Sequence, residues 1–234
     1  MNDIWAGLSS AFWLVVTGDP DLIEITLRSL QVSLTALVIA STIALPFGTW
    51  LAIRRFRFRR TAIAVLNSLM GLPPVVVGLI VYLLLSRAGP FGVLGLLFTP
   101  TAMIVAQVLL VTPIIAALTR QVIEDLWIEY EEQMRSLGAG PGRAVPALLW
   151  DGRFTLITAI LAGFGRASAE VGAVMIVGGN IDHVTRVMTT SIALEVSKGN
   201  LALALGLGMI LLVLSASINA AAYLIQHNTK RWHA

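Results

Sequence analysis

The sequence predicts an all-α integral membrane protein, and three observations carry the prediction. Four stretches, 29–53, 61–86, 88–119 and 199–229, contain no Asp, Glu, Lys or Arg. Each exceeds the roughly 20 apolar residues that cross a bilayer as a helix. The 234 residues are 57% hydrophobic and 12% charged, against roughly 25% charged in a soluble domain. The charges that remain are gathered between the apolar runs, five arginines falling within Arg54–Arg60.

Taken in order, residues 4–16 are apolar but follow the acidic Asp3, without the basic leader of a cleavable signal. They are short for a span, so they are expected as a helix at the membrane surface, with Trp5 and Trp13 at headgroup depth. The first span is expected at about 27–53 and the second at about 62–86. The second contains Gly71-Leu-Pro-Pro74, and two prolines without amide hydrogens must kink or break it. A turn at Gly89-Pro90 and Gly92 leads to a third span, about 100–119, with Pro113 inside. A polar segment, 120–153, precedes a fourth span at about 154–178. A loop, 179–199, leads to the fifth, about 200–226, and to a short tail. No repeat or linker divides the chain, so one domain is expected over 1–234.

Charge sets the orientation. Loops 54–60 and 120–153 and the tail lie on one side and hold eleven of the sixteen Lys and Arg residues. Under the positive-inside rule that side is cytoplasmic. The N-terminus is then outside and the C-terminus in the cytoplasm. The net charge of +3 reads as membrane orientation, with no nucleic-acid partner implied.

Within the polar segment, Ile123, Leu126, Trp127, Tyr130, Met134 and Leu137 recur at three- and four-residue spacing, which is one apolar face of a helix. Gly138 supplies a left-handed stop, Gly140-Pro141-Gly142 a turn, and Arg143–Trp150 a second short helix. By itself this reads as a solvated helical hairpin.

Several chemistries are excluded. A P-loop requires Gly-Lys-Ser/Thr, whereas Lys198 and Lys230, the two lysines, follow Ser197 and Thr229. His183, His227 and His233 are dispersed, there is no cysteine, and no metal site or catalytic constellation is expected. The chain is read as a non-enzyme that binds no cofactor of its own.

Arg166 and Glu170 fall inside the fourth span, where ionisable groups face a partner or a water-filled path. Their spacing of four would pair them on one helix face. Two readings stand side by side: an internal ion pair that anchors the helix, or an anion path in which Arg166 supplies positive potential. Gly71, Pro73 and Pro74 are likewise either a packing kink or a gate. Asn67, Gln107 and Asn180 read first as interhelical hydrogen-bond formers, with Asn180 also a pathway candidate. Trp50, Trp127 and Trp150 are expected at the cytoplasmic interface.

Glu132-Gln-Met-Arg-Ser-Leu-Gly138, preceded by Tyr130 and Glu131, resembles the EAA loop of ABC importer permeases. Glu132 and Gly138 match it, while Gln133 and Met134 stand where that family has two alanines. Its later Leu-Pro is missing, near Leu149-Trp150-Asp151. Over about residues 22–226 the chain is similar to the permease subunits of tungstate importers, relatives of the molybdate and sulfate permeases. The segments 66–78, 163–173, 177–181 and 189–199 carry that resemblance. It implies a type I ABC importer permease with five spans, beside the interfacial helix expected at 4–16, working in the inner membrane as a homodimer. Two cytoplasmic ATP-binding subunits, holding ATP and Mg, and an external oxyanion-binding protein are its implied partners. The cargo implied is tungstate, with molybdate or another small anion as the alternative. The resemblance makes Glu131, Glu132, Arg135, Gly138, Gly140 and Gly142 the coupling surface for the ATPase. A gradient-driven transporter or channel is the competing class.

Overall fold

The structure, a computed structural model, describes residues 2–232, with side chains described at Ser9 and from Ala11 to Leu224. Among these residues it holds ten α-helices and no strand. They are α1 (Asn2–Thr17), α2 (Pro20–Ile53), α3 (Arg59–Met70), α4 (Pro74–Leu85), α5 (Pro100–Ser136), α6 (Pro141–Asp151), α7 (Arg153–Ser168), α8 (Gly172–Gly178), α9 (Met188–Lys198) and α10 (Leu201–Trp232). Helices α2, α5 and α10 are each long and apolar enough to cross a membrane, and two sharply bent pairs, α3 with α4 and α6 with α7, raise the number of spans to as many as five. A helix forms over the stretch expected to be helical at 4–16, as α1. Trp13 is exposed, and the side chain of Trp5 lies outside the described residues.

Helix starts and stops follow local chemistry. Asp19 Oδ1 accepts the N–H groups of Asp21 and Leu22, both at 3.1 Å, satisfying two orphan donors at the start of α2. That cap moves the helix start seven residues ahead of the expected span. The second span is broken, not merely kinked. Gly71 ends α3, Pro73 is extended at φ −63° and ψ 121°, and Pro74 occupies the first turn of α4, where its missing N–H costs nothing.

Three expectations need correction. First, α5 runs unbroken for 37 residues, so the third span and the amphipathic stripe are one helix, and Pro113 does not interrupt it. Second, Gly140-Pro141-Gly142 is not a free turn, because Pro141 opens α6 with Gly140 as its extended cap. Third, the loop expected over 179–199 holds α9, which starts after the extended Val187 and ends at Gly199, φ +79°.

The chain divides into two compact units. The first comprises Met1–Ala36, Pro73–Gln107 and Ala167–Ile218. Its buried centre includes Leu22, Ile25, Met188 and Leu207. Here α4 and α8 touch backbone to backbone: a Cβ on Gly78 would lie 2.7 Å from Ala173 Cα. Across another contact, a Cβ on Gly178 would lie 2.9 Å from Met103 Sδ.

The second unit comprises Leu37–Leu72, Val108–Arg166 and Asn219–Ala234. Small residues again set the crossings, as van der Waals packing in a bilayer requires. A Cβ on Gly48 would lie 2.5 Å from Ala116 O, and one on Gly163 would lie 2.8 Å from Ile115 Cδ1. Arg59 is not a free loop charge. It donates to Leu51 O and Ala52 O, both at 3.0 Å, and to Glu124 Oε1 at 2.8 Å, while Arg120 pairs with the other oxygen of Glu124. The arginine therefore closes the carbonyl end of α2 and ties it to α5, with a cation at the negative end of a helix dipole.

Candidate functional site

Two places gather the residues singled out in the sequence. The α5–α6 hairpin lies wholly in the second unit from Val108 onward. Ile123, Trp127, Ala144 and Leu148 bury with Ala52 and Ile53 of α2 and Leu156 of α7, and Tyr130, Met134, Val145 and Leu149 pack around them. The amphipathic stripe is thus real as far as Met134. Trp127 belongs to this core, at 7% exposure, and not to an interface, while Leu137 at the tip is 82% exposed.

The tip is closed by backbone geometry. Gly138 takes φ +72°, and the Ala139 N–H donates back to Met134 O at 2.8 Å, the six-to-one bond of a helix stop. Nothing lies within 4 Å of a Cβ placed on Gly138, Gly140 or Gly142. Conformation, not crowding, is what asks for glycine at 138. Glu131 pairs with Arg135 at 2.5 Å. Glu132, Arg135, Gly138, Gly140 and Gly142 are exposed and Glu131 half-buried, so all six predicted coupling residues share one projecting tip on a buried apolar base.

The second place is the pair of helix starts in the first unit. A Cβ on Gly172 would lie 2.8 Å from Val75 Cγ2, which puts the first turns of α4 and α8 side by side. Pro73 and Pro74 stand at one start and Glu170 at the other. The fourth span is discontinuous: α7 ends at Ser168 and α8 begins at Gly172. Glu170 lies beyond the end of α7, so Arg166 and Glu170 are not on one continuous helix. A carboxylate placed just ahead of α8 reaches one of its orphan donors. Glu170 Oε1 accepts the Ala173 N–H at 3.0 Å, and its carbonyl accepts the Thr189 hydroxyl at 2.8 Å. Glu170 is buried, at 4% exposure, and buried polar groups of this kind are hydrogen-bonded.

Arg166, half-buried in the last turn of α7, and Gly71, at the end of α3, belong to the second unit. Asn180 stands at the far end of α8, roughly 10 Å of helix away. At φ +50°, it donates to Thr190 O at 3.3 Å and accepts the Thr190 hydroxyl at 2.9 Å, which is the hydrogen-bonding role expected of it. Gln107 behaves likewise, donating to Ala167 O at 3.2 Å. Within the first unit, Glu170 and Asn180 thus stand at opposite ends of α8.

Sequence reasoning missed a small polar cavity beside Glu170. It measures about 10 Å³ and is lined by Ser29, Ser33, Gln107, Ser168 and Thr189 among others, room for about one water. Gln107 Oε1 and Ser168 Oγ are buried there without a protein partner. Ser29 accepts the Met188 N–H at 2.6 Å. Ser29 and Ser33, four apart in a charge-free run, were the available signal.

At the start of α2, Arg28 donates to Glu24 at 3.0 Å and to Val184 O at 2.7 Å. His183 Nδ1 lies 2.9 Å from the other Glu24 oxygen, and Arg186 pairs with Asp182 at 2.6 Å. The hydrogen bond to Glu24, helped by the charge of Asp182, raises the His183 pKa above its ordinary value.

Residues 44–231 match the family described as the binding-protein-dependent transport system inner membrane component. Over 226 residues the chain is 43% identical to the tungstate uptake system permease protein TupB of Peptoclostridium acidaminophilum, covering 97% of this chain and 99% of that one. The protein of the same name in Campylobacter jejuni is 35% identical over 231 residues, 99% of this chain and 95% of that one. In solved structures of the MetNI methionine ABC transporter in inward-facing conformations, a chain matches 89% of this one with 95% of its own. The TM-score there is 0.73 and the identity 18%, a likeness of fold.

Proposed function

Because this chain belongs to the family of binding-protein-dependent transport system inner membrane components, we propose that it is the permease of an ATP-driven importer whose cargo is tungstate. The observation that carries this reading is the exposed tip Glu131–Gly142 on a buried apolar base, in a chain 43% identical to a tungstate permease. The working assembly is two copies of this chain, two cytoplasmic ATP-binding subunits at the tips, and an external oxyanion-binding protein. ATP and Mg belong to the partner subunits, since the sequence has no Gly-Lys-Ser/Thr and so no lysine placed for a phosphate cradle. Molybdate fits the same machine, being an equally charged tetrahedral anion.

The helix breaks supply chemistry for an anion. Half-helices within a membrane present positive dipole ends, and α4 and α8 begin side by side. Glu170 occupies one donor of α8 and keeps that end from becoming a trap. Pro73 and Pro74 give a hinge at the start of α4, and Asn180 fixes the turn behind α8.

The test is purification of the chain co-expressed with its genomic neighbours. A stoichiometric ATPase should come with it, and vesicles holding the complex should accumulate tungstate only when ATP is on the tip side. Uptake that follows an ion gradient without ATP overturns the reading. For orientation, an impermeant thiol reagent on intact cells should label Cys introduced by His183→Cys and spare that of Arg57→Cys. The absence of native cysteine keeps the background clean.

A further inference from the structure

We propose that the groove between the end of α2, α6 and the start of α7 is a binding site for an anionic phospholipid. The groove has a volume of about 600 Å³, within the roughly 300–1,000 Å³ of sites that enclose small molecules. It lies entirely in the second unit. Its walls are apolar, with Leu45, Leu149, Leu156 and Ile157 among the lining side chains, and no carboxylate contributes to them. Arg54 and Arg153 are its charged members.

Three features favour a lipid over another protein surface. Arg54 is exposed and its guanidinium has no hydrogen-bond or ion-pair partner among the described residues. Arg153 donates to Trp150 O at 2.5 Å and stacks 4.5 Å from the Trp150 and Phe154 rings, which leaves most of its five donors for a phosphate. Trp50 and Arg54 stand one turn apart where the α2 span ends, the aromatic-then-basic order of a membrane boundary. Thr49, 3% exposed, also lines the wall, and its Oγ1 has no partner. Acyl chains suit the apolar wall, and an anionic headgroup suits two arginines with no acid beside them. A second copy presenting the same face would set these cations against each other.

The proposal rests on the chain being a membrane protein and not on its cargo, so it survives or fails independently of tungstate transport. The probe is phosphatidylglycerol with brominated acyl chains, titrated against the full chain in nanodiscs of otherwise unbrominated phosphatidylcholine. Bromine quenches nearby tryptophan, here Trp50. Brominated phosphatidylglycerol should quench saturably, at a mole fraction roughly tenfold or more below that needed with brominated phosphatidylcholine. Trp50→Phe should remove part of the amplitude, and the double variant Arg54→Gln with Arg153→Gln should erase the preference at an unchanged thermal midpoint. Should that double variant fail to fold, salt decides with the unaltered chain: raising ionic strength should shift the phosphatidylglycerol curve and leave the phosphatidylcholine curve in place. Equal quenching by both lipids, a preference that persists in the folded double variant, or one indifferent to salt overturns the proposal. Quenching confined to the monomeric fraction also overturns it and assigns the groove to a second copy.

Discussion

Glu170 Oε1 accepts the backbone N–H of Ala173 at 3.0 Å, so this buried carboxylate stands at the head of α8 as its cap. An acid that the sequence placed inside a span serves a helix end. Replacing it with alanine leaves a buried amide unsatisfied, a loss of about 1–3 kcal/mol. Glu170→Ala should therefore lower the thermal unfolding midpoint in detergent. Glu170→Gln, which keeps an oxygen for that N–H, should retain more of the stability. Equal midpoints for the two variants would remove the cap from the account.

Gly138→Val forces a β-branched side chain into φ +72°, at a local cost of about 1 kcal/mol or more. Because a side chain there meets nothing, the chain should still fold and insert. The tip, however, changes shape. Co-purification of the ATPase, or uptake, should fall sharply in Gly138→Val, while Gly138→Asn, whose side chain tolerates the left-handed region, should retain more of both.

Gly48→Ala tests the α2–α5 crossing. The added methyl carbon would lie 2.5 Å from Ala116 O, and a backbone oxygen cannot step aside as a side chain can. Overpacking of this kind costs about 1–3 kcal/mol. Thermal unfolding and yield should both drop in Gly48→Ala. Gly208→Ala, where nothing lies within 4 Å, is the matched control and should change neither.

The Glu24–His183 contact should respond to pH. Glu24 raises the His183 pKa, so the folded loop holds its proton more tightly than the unfolded chain does. The contribution of this pair is therefore fully present below the ordinary imidazole value of about 6.5. It is lost as pH rises through the raised folded value. Amide protection in the 182–186 turn, taken relative to the intrinsic exchange rate at each pH, should fall over that window, and His183→Gln should flatten the response.

Most of the fold was legible because bilayer crossing needs long charge-free runs, and such runs cannot hide. The break at Gly71–Pro74 was legible for a local reason, two prolines in a row. That at Ala169–Val171 was not, since no proline marks it. It depends on Gly172 and Gly78 letting α8 and α4 meet and on a carboxylate reaching the freed amides, contacts made between distant segments. At the tip, the shared placement of Glu131, Glu132, Arg135, Gly138, Gly140 and Gly142 was readable because Gly138, the stripe and the charges are all local. The polar cavity beside Glu170 was not, being assembled from α2, α5, the α7–α8 break and α9.

The Arg59–Glu124 pair also carries an order in time. Sixty-five residues separate the two, and at about 5–20 residues per second a ribosome needs roughly 3–13 s to make them. In the orientation that the thiol-labelling experiment tests, Arg59 is an uncompensated positive charge while α2 inserts, and counts fully among the signals that retain a loop on the side of synthesis. Only after α5 emerges does Glu124 arrive to pair with it, shared with Arg120. One arginine thus acts first as an address and afterwards as a fastening.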